Sequence, residues 1–94
     1  MSALLPPDQV DQRLRHLPGW RLDGRSIRKE FTFAGFPEAV AYVSRLVEPA
    51  EAADHHPDLE IHYRRVVVTF TTHSAGGLTV KDFEGAMAAE AAVR

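Results

Sequence analysis

The chain has 94 residues, an ordinary apolar and charged balance, and a formal net charge of −2. That length supports one domain, residues 1–94, with a core modest enough that neighbouring subunits are expected to cover some apolar surface. The charge argues against the basic face that nucleic-acid binding needs, no cysteine is present for a disulfide, thiol nucleophile or zinc–thiolate site, and no apolar run approaches membrane-spanning length.

Met1 to Pro7 has no positive segment followed by an apolar one, so no signal peptide is expected and the expected address is the cytoplasm. Pro6-Pro7-Asp8 opens a first helix over Gln9–Leu17, with Val10, Leu14 and Leu17 inward. Pro18-Gly19 stops it, and His16 near its end reads as a partner of the helix dipole. Trp20-Arg21-Leu22 reads as a short strand and Asp23-Gly24 as a hairpin turn. Ser26 to Phe33 alternates, which puts Ile27, Phe31 and Phe33 on the core face. Lys29 shares that face and is assigned to the exposed end of the strand.

Gly35-Phe36-Pro37-Glu38 opens a second helix. Its expected buried stripe is Phe36, Val40, Val43 and Val47, widened by Ala39, Leu46 and Ala50. Pro49 predicts a kink, or a break followed by another turn at Ala50–Asp54. The helix should end at His55-His56-Pro57, because the residue before a proline is pushed out of the helical region. Asp58 to Tyr63 alternates again, with Leu59, Ile61 and Tyr63 on one face and Leu59 read as core. A tight turn at Arg64-Arg65 leads into Val66–Thr72, rich in β-branched residues. Val66, Val68, Phe70 and Thr72 share one face of it; Val67, Thr69, Thr71 and His73 share the other. After a loop at Ser74–Gly77, Thr79 caps a last helix, Thr79–Arg94, and Asp82 three residues on makes a variant of the capping box. Phe83, Met87 and Ala91, with Ala86 and Val93, mark its expected buried stripe. The order helix, two strands, helix, two strands, helix predicts an α+β fold: a four-stranded antiparallel sheet with three helices packed on one face.

Three histidines, His55, His56 and His73, fall at expected ends of elements. Imidazole titrates near neutral pH, which suits proton transfer. An element's end lets a side chain reach a ligand while the element holds it in place. With Ala50–His55 helical, Glu51 stands one turn before His55 and would orient its ring. His55 and His56 are adjacent and must diverge, so they can line two walls of a pocket. Asp82 enters from a helix N-terminus, where a carboxylate is favoured. Each also has an ordinary structural use: a histidine pair suits a helix C-terminus, and Asp82 is fully employed as a cap. Zinc sites favour histidines at H-x-x-x-H spacing, which adjacent histidines followed by proline do not match, so no metal site is expected.

Glu51-x-x-x-His55-His56-Pro57, then Tyr63, Val66, Val68, Thr72-His73 and Gly77-Leu78-Thr79-x-x-Asp82, resembles the pterin-4a-carbinolamine dehydratase family. The likeness extends upstream to Gly19-Trp20 and Phe31-x-Phe33, so it covers almost the whole chain. The resemblance implies the same α+β fold, assembled as a dimer or tetramer of identical chains. It implies dehydration of 4a-hydroxytetrahydrobiopterin to quinonoid dihydropterin, with no metal and no cofactor. It implies His55, His56 and His73 as catalytic residues, and Glu51, Pro57 and Asp82 at the substrate, with Asp82 binding the pterin's donor-rich edge or holding a histidine. On this reading His56 and His73 straddle the C4a–N5 edge, and His55 binds or assists, tuned by Glu51. The partners it implies are a small pterin and further copies of the chain, with no nucleic acid and no membrane. Two positions depart from the family pattern: Leu59 stands where some members carry Trp, and Pro49 lies within the second helix. A second reading on the same fold is a pterin-binding or dimerisation module without catalysis, or a role in molybdopterin metabolism.

Overall fold

Two tight hairpins build the sheet. The structure is a computed structural model and describes residues 3–93. Met1 and Ser2, which begin the N-terminal segment read above, and Arg94, the expected last residue of the final helix, lie outside the described residues. Strand β1 (Arg21–Asp23) turns into β2 (Ser26–Thr32) through Gly24-Arg25, and Gly24 takes a left-handed φ of +62° that glycine adopts without steric cost. Strand β3 (Asp58–His62) turns into β4 (Arg65–Phe70) through Tyr63-Arg64, one residue earlier than the expected Arg64-Arg65 turn. Tyr63 is therefore the first turn residue, at φ +58° and exposed, rather than the end of a strand face. The two hairpins join along β2 and β4 into one antiparallel sheet of order β1-β2-β4-β3.

Ile27 and Phe31 on β2 lie opposite Phe70 and Val66 on β4, and with Val68 they form the floor of the core. Helices α1 (Pro7–Leu14), α2 (Phe36–Arg45), α3 (Val47–Ala53) and α4 (Val80–Ala91) complete the fold. Side chains from α1, α2 and α4 pack on that floor: Val10, then Ala39 and Tyr42, then Phe83, Ala86 and Ala89. Each fully buried side chain of the size of Ile27 or Val66 contributes about 1.5–3 kcal/mol by leaving water. No helix among the described residues is long and apolar enough to cross a membrane.

The expected second helix is two, α2 and α3, meeting at Leu46. The break comes a turn before Pro49, which then occupies the third residue of α3. There its missing N–H leaves no hydrogen bond unmade, because the first turn of a helix has no internal partner for it.

The buried stripe of α2 is also rotated from the expected one. Phe36, Val40 and Val47 are exposed, and Ala39, Tyr42 and Leu46 are buried. Tyr42 decides the phase. Its ring lies 5.1 Å from Phe31 and 4.8 Å from Phe33, and its hydroxyl donates to the Ala89 carbonyl at 2.8 Å. A tyrosine buries fully where its O–H finds an acceptor, and a count of aliphatic residues does not see that. Leu59 and Ile61, on the helix side of edge strand β3, are partly open as well, so Leu59 is not a core position. On α4 the inward face is Asp82, Phe83, Ala86 and Ala89, while Met87 and Ala91 face out; the helix ends at Ala91, short of the expected Arg94, and Val93 beyond it is exposed.

Lys29 is not at an exposed strand end. It sits mid-strand opposite Val68, on the core side. Its ammonium bonds the Glu90 carboxylate at 2.6 Å and lies 4.9 Å from the centre of the Phe31 ring. Glu90 also accepts the Trp20 indole N–H at 2.9 Å. A cation on the core face is tolerated because α4 supplies its counter-charge.

Burial, and secondarily the charge of Glu90, pushes the Tyr42 phenol well above its ordinary range, against a smaller opposing effect of Arg45. The unfolded chain therefore loses the Tyr42 proton above about pH 10 while the folded protein keeps it. Stability from this group is whole below that pH and falls as the pH rises past it. Alkaline titration of the urea midpoint is expected to show a decline that Tyr42→Phe removes. A decline of equal size in Tyr42→Phe would assign it to other groups.

Candidate active site

Helix α3 ends in a left-handed residue, Asp54, at φ +51° and ψ +42°. The N–H of His55 returns to the Ala50 carbonyl at 3.1 Å, closing a Schellman-type stop. This turn decides where the two histidines go. His55 is not on the helical face of Glu51, so the expected Glu51–His55 pair does not form. Glu51 instead meets His56, Oε2 to Nε2 at 2.6 Å, on an exposed surface. His55 swings inward, is 11% exposed at its side chain, and stacks on Phe70 with ring centres 5.9 Å apart and planes at 22°.

The partner of His55 is Asp82, Oδ1 to Nε2 at 2.7 Å, and Asp82 is 0% exposed. Its other oxygen, Oδ2, accepts the Thr72 hydroxyl at 2.7 Å and the Thr79 N–H at 2.9 Å. The Thr72 and Thr79 hydroxyl oxygens are 2.8 Å apart. Thr72 has one proton and gives it to Asp82, so Thr79 donates to Thr72. The Thr79 oxygen in turn accepts the Lys81 N–H at 3.3 Å. Both bonds at Oδ2 come from donors. With Asp82 as a carboxylate, which can only accept, the contact at Oδ1 takes its proton from Nε2 of His55 and leaves Nδ1 for another partner. By the same reasoning the Glu51 carboxylate holds Nε2–H of His56 and leaves Nδ1 of that ring free.

Asp82 was expected to bind the pterin's edge or to hold a histidine; in the structure it is fully buried, holds His55 and also completes the expected capping box. His73 opens a 3-10 turn, His73–Ala75, and is exposed. It follows Thr72 directly, so the segment just beyond β4 that supports the Asp82 clamp also delivers His73. Pro57 and His55 line a small apolar cavity of about 70 Å³ shared with Phe70, Lys81, Glu84 and Gly85. That space suits a few waters rather than a bicyclic ring. Neither His56 nor His73 is among the residues lining it.

Of the six expected site residues, the structure joins His55 to Asp82, His56 to Glu51, and His55 to Pro57. Two contributors were missed. Thr72 had a visible signal: alternation put it on the Phe70 face, and a buried hydroxyl needs a partner. The stacking of Phe70 on His55 had none, because its residues are distant in sequence and become neighbours only in the fold.

The sequence model of the family described as "Pterin 4 alpha carbinolamine dehydratase" matches residues 3–92. A protein of Trichormus variabilis, provisionally named a pterin-4-alpha-carbinolamine dehydratase, is 50% identical over 84 residues, which are 89% of this chain and 90% of that one. The crystal structure of a transcriptional coactivator/pterin dehydratase from Brucella melitensis is similar at a TM-score of 0.90 and 36% identity, covering 96% of this chain and 98% of that one. A pterin dehydratase-like protein, described as a RuBisCO assembly factor in the alpha-carboxysome, shares the fold at a TM-score of 0.68 and 21% identity, over 83% of this chain and 93% of that one. Sequence agreement over nearly the full length and a superimposable backbone lead to one assignment: the chain belongs to the pterin-4a-carbinolamine dehydratase family.

Proposed function

We propose that this protein is a 4a-hydroxytetrahydrobiopterin dehydratase acting by histidine acid–base catalysis. The observation that carries the reading is the carboxylate–imidazole pairing at two adjacent residues. His55 is held by buried Asp82 and His56 by Glu51, each through Nε2, so that each ring keeps Nδ1 for another partner.

The reaction removes the N5 proton of the pterin, breaks the C4a–O bond and delivers a proton to the departing hydroxyl, which leaves as water. The electron pair of the N5–H bond becomes the C4a=N5 double bond, so no electrons are exchanged with another molecule. His56 and His73, both exposed, are the groups we assign to the two proton transfers, one at the hydroxyl and one at N5. His55 is braced on both sides and positions the ring edge or assists from below. Asp82 serves as the group that holds His55. The cavity beside His55 is too small for the whole bicycle, so the pterin lies across its mouth, against Pro57.

The family resemblance implies assembly with further copies of the chain, and we assign the exposed strip of Phe36, Val40 and Val47 to that contact. Val40→Glu is expected to lower the sedimentation coefficient of the assembly; an unchanged value would move the contact elsewhere.

The test of the activity is a coupled assay. A phenylalanine hydroxylase generates the 4a-hydroxypterin, and its ultraviolet decay is followed with and without this protein. Accelerated decay supports the reading, and decay at the spontaneous rate with folded protein present rejects it.

A further inference from the structure

Gly85 is an unexplained residue on α4. It lies within the helix, where glycine is the poorest choice short of proline. A Cβ built there would lie 2.5 Å from Cε1, 2.7 Å from Cζ and 2.9 Å from Cδ1 of Phe70. These distances are far inside van der Waals contact, so either the ring or the helix must shift. Phe70 is bounded by Trp20 at 6.2 Å and by the stacked His55 at 5.9 Å.

Gly85 stands three residues after Asp82, on the same side of α4. The helix carries Asp82, one anchor of His55; β4 carries Phe70, the other. The space left by the missing side chain therefore sets how closely α4 approaches β4. At that distance Asp82 reaches both His55 and Thr72, beyond the end of β4. A side chain at position 85 must either shift Phe70, the ring on which His55 stacks, or lift α4 and draw Asp82 away from it. Both displace the same imidazole.

We infer that Gly85 is a positioning residue for His55, holding α4 and β4 at the separation that lets Asp82 and Phe70 grip the ring together. The catalytic consequence rests on the dehydratase reading above; the geometric one does not. The experiment follows the His55 ring nitrogens by 15N NMR, together with turnover of 4a-hydroxytetrahydrobiopterin. In the wild-type protein the Nε2–H signal of His55 is expected to be protected from solvent exchange. Gly85→Ala should shift or broaden that signal and lower turnover roughly 10- to 100-fold, the scale of a misplaced catalytic group. Phe70→Val removes all three ring atoms that the new methyl would strike. Adding Gly85→Ala to Phe70→Val should therefore leave the His55 signal as it is in Phe70→Val alone.

A folded Gly85→Ala protein with the wild-type His55 signal and only a lower melting temperature would overturn the inference. So would a double variant whose His55 signal departs from that of Phe70→Val. If Gly85→Ala alone does not fold, this second comparison decides. Absence of turnover in the wild-type protein would remove the dehydratase reading, while the nitrogen spectra would still answer for Gly85.

Discussion

Asp82→Ala is expected to cost about 3 kcal/mol or more of folding stability, because three buried donors lose their acceptor together. The carboxylate is fully buried and accepts from three donors: His55 Nε2, the Thr72 hydroxyl and the Thr79 N–H. Truncation leaves all three without an acceptor, and each unmet buried donor costs about 1–3 kcal/mol before water enters to relieve it. The end of α4 also loses its capping box. Urea denaturation checks this through the midpoint at constant slope. A loss below about 1 kcal/mol would mean that the network does not hold the fold at this point. Asp82→Asn separates shape from charge. Its single oxygen best stays where two donors converge, on Thr72 and Thr79, which turns the amide N–H toward His55. His55 must then accept through Nε2 and carry its proton on Nδ1. Most of the stability should survive, but turnover should fall about 100-fold, and 15N NMR should show the reversed tautomer.

Loss of both His56 and His73 is expected to have the largest effect on catalysis. A positioned acid or base contributes about 10²–10⁴-fold, so His56→Ala or His73→Ala alone should reduce turnover by a factor in that range. The double variant should approach the spontaneous rate of dehydration. Both rings are exposed, and their removal leaves no buried donor unmet, so stability should change by under about 0.5 kcal/mol. That contrast with Asp82 is the useful feature, since activity is lost here without the fold. Turnover that survives the double change would return the chemistry to His55. Glu51→Gln should give a smaller loss than His56→Ala, because it weakens the hold on His56 without removing the ring.

The hairpins, the sheet and the last helix were legible because their signals are local. Asp23-Gly24 announces a turn, Val66–Phe70 alternates around β-branched residues, and Thr79 with Asp82 spells a cap that forms as expected. The motif Glu51 to Pro57 with Thr72-His73 likewise carries the family on its face. What local pattern could not reach was the pairing. Spacing alone joined Glu51 to His55, and one left-handed residue, Asp54, exchanged the partners. Helical periodicity counted Phe36, Val40 and Val47 as core, while Tyr42 took the buried face because the Ala89 carbonyl was there to receive its hydroxyl.

The sequence by itself determined the strands, the order of the elements and the family, since each of these is carried by local pattern within a turn, a strand or a short motif. Only the tertiary structure decided which carboxylate holds which histidine, which nitrogen each ring leaves free, and why a glycine is kept inside α4. These depend on atoms brought together from β4, the loop after α3 and the start of α4. A burial cost acts on such atoms only once the chain has folded, when an unmet donor or a misplaced methyl no longer has water to turn to.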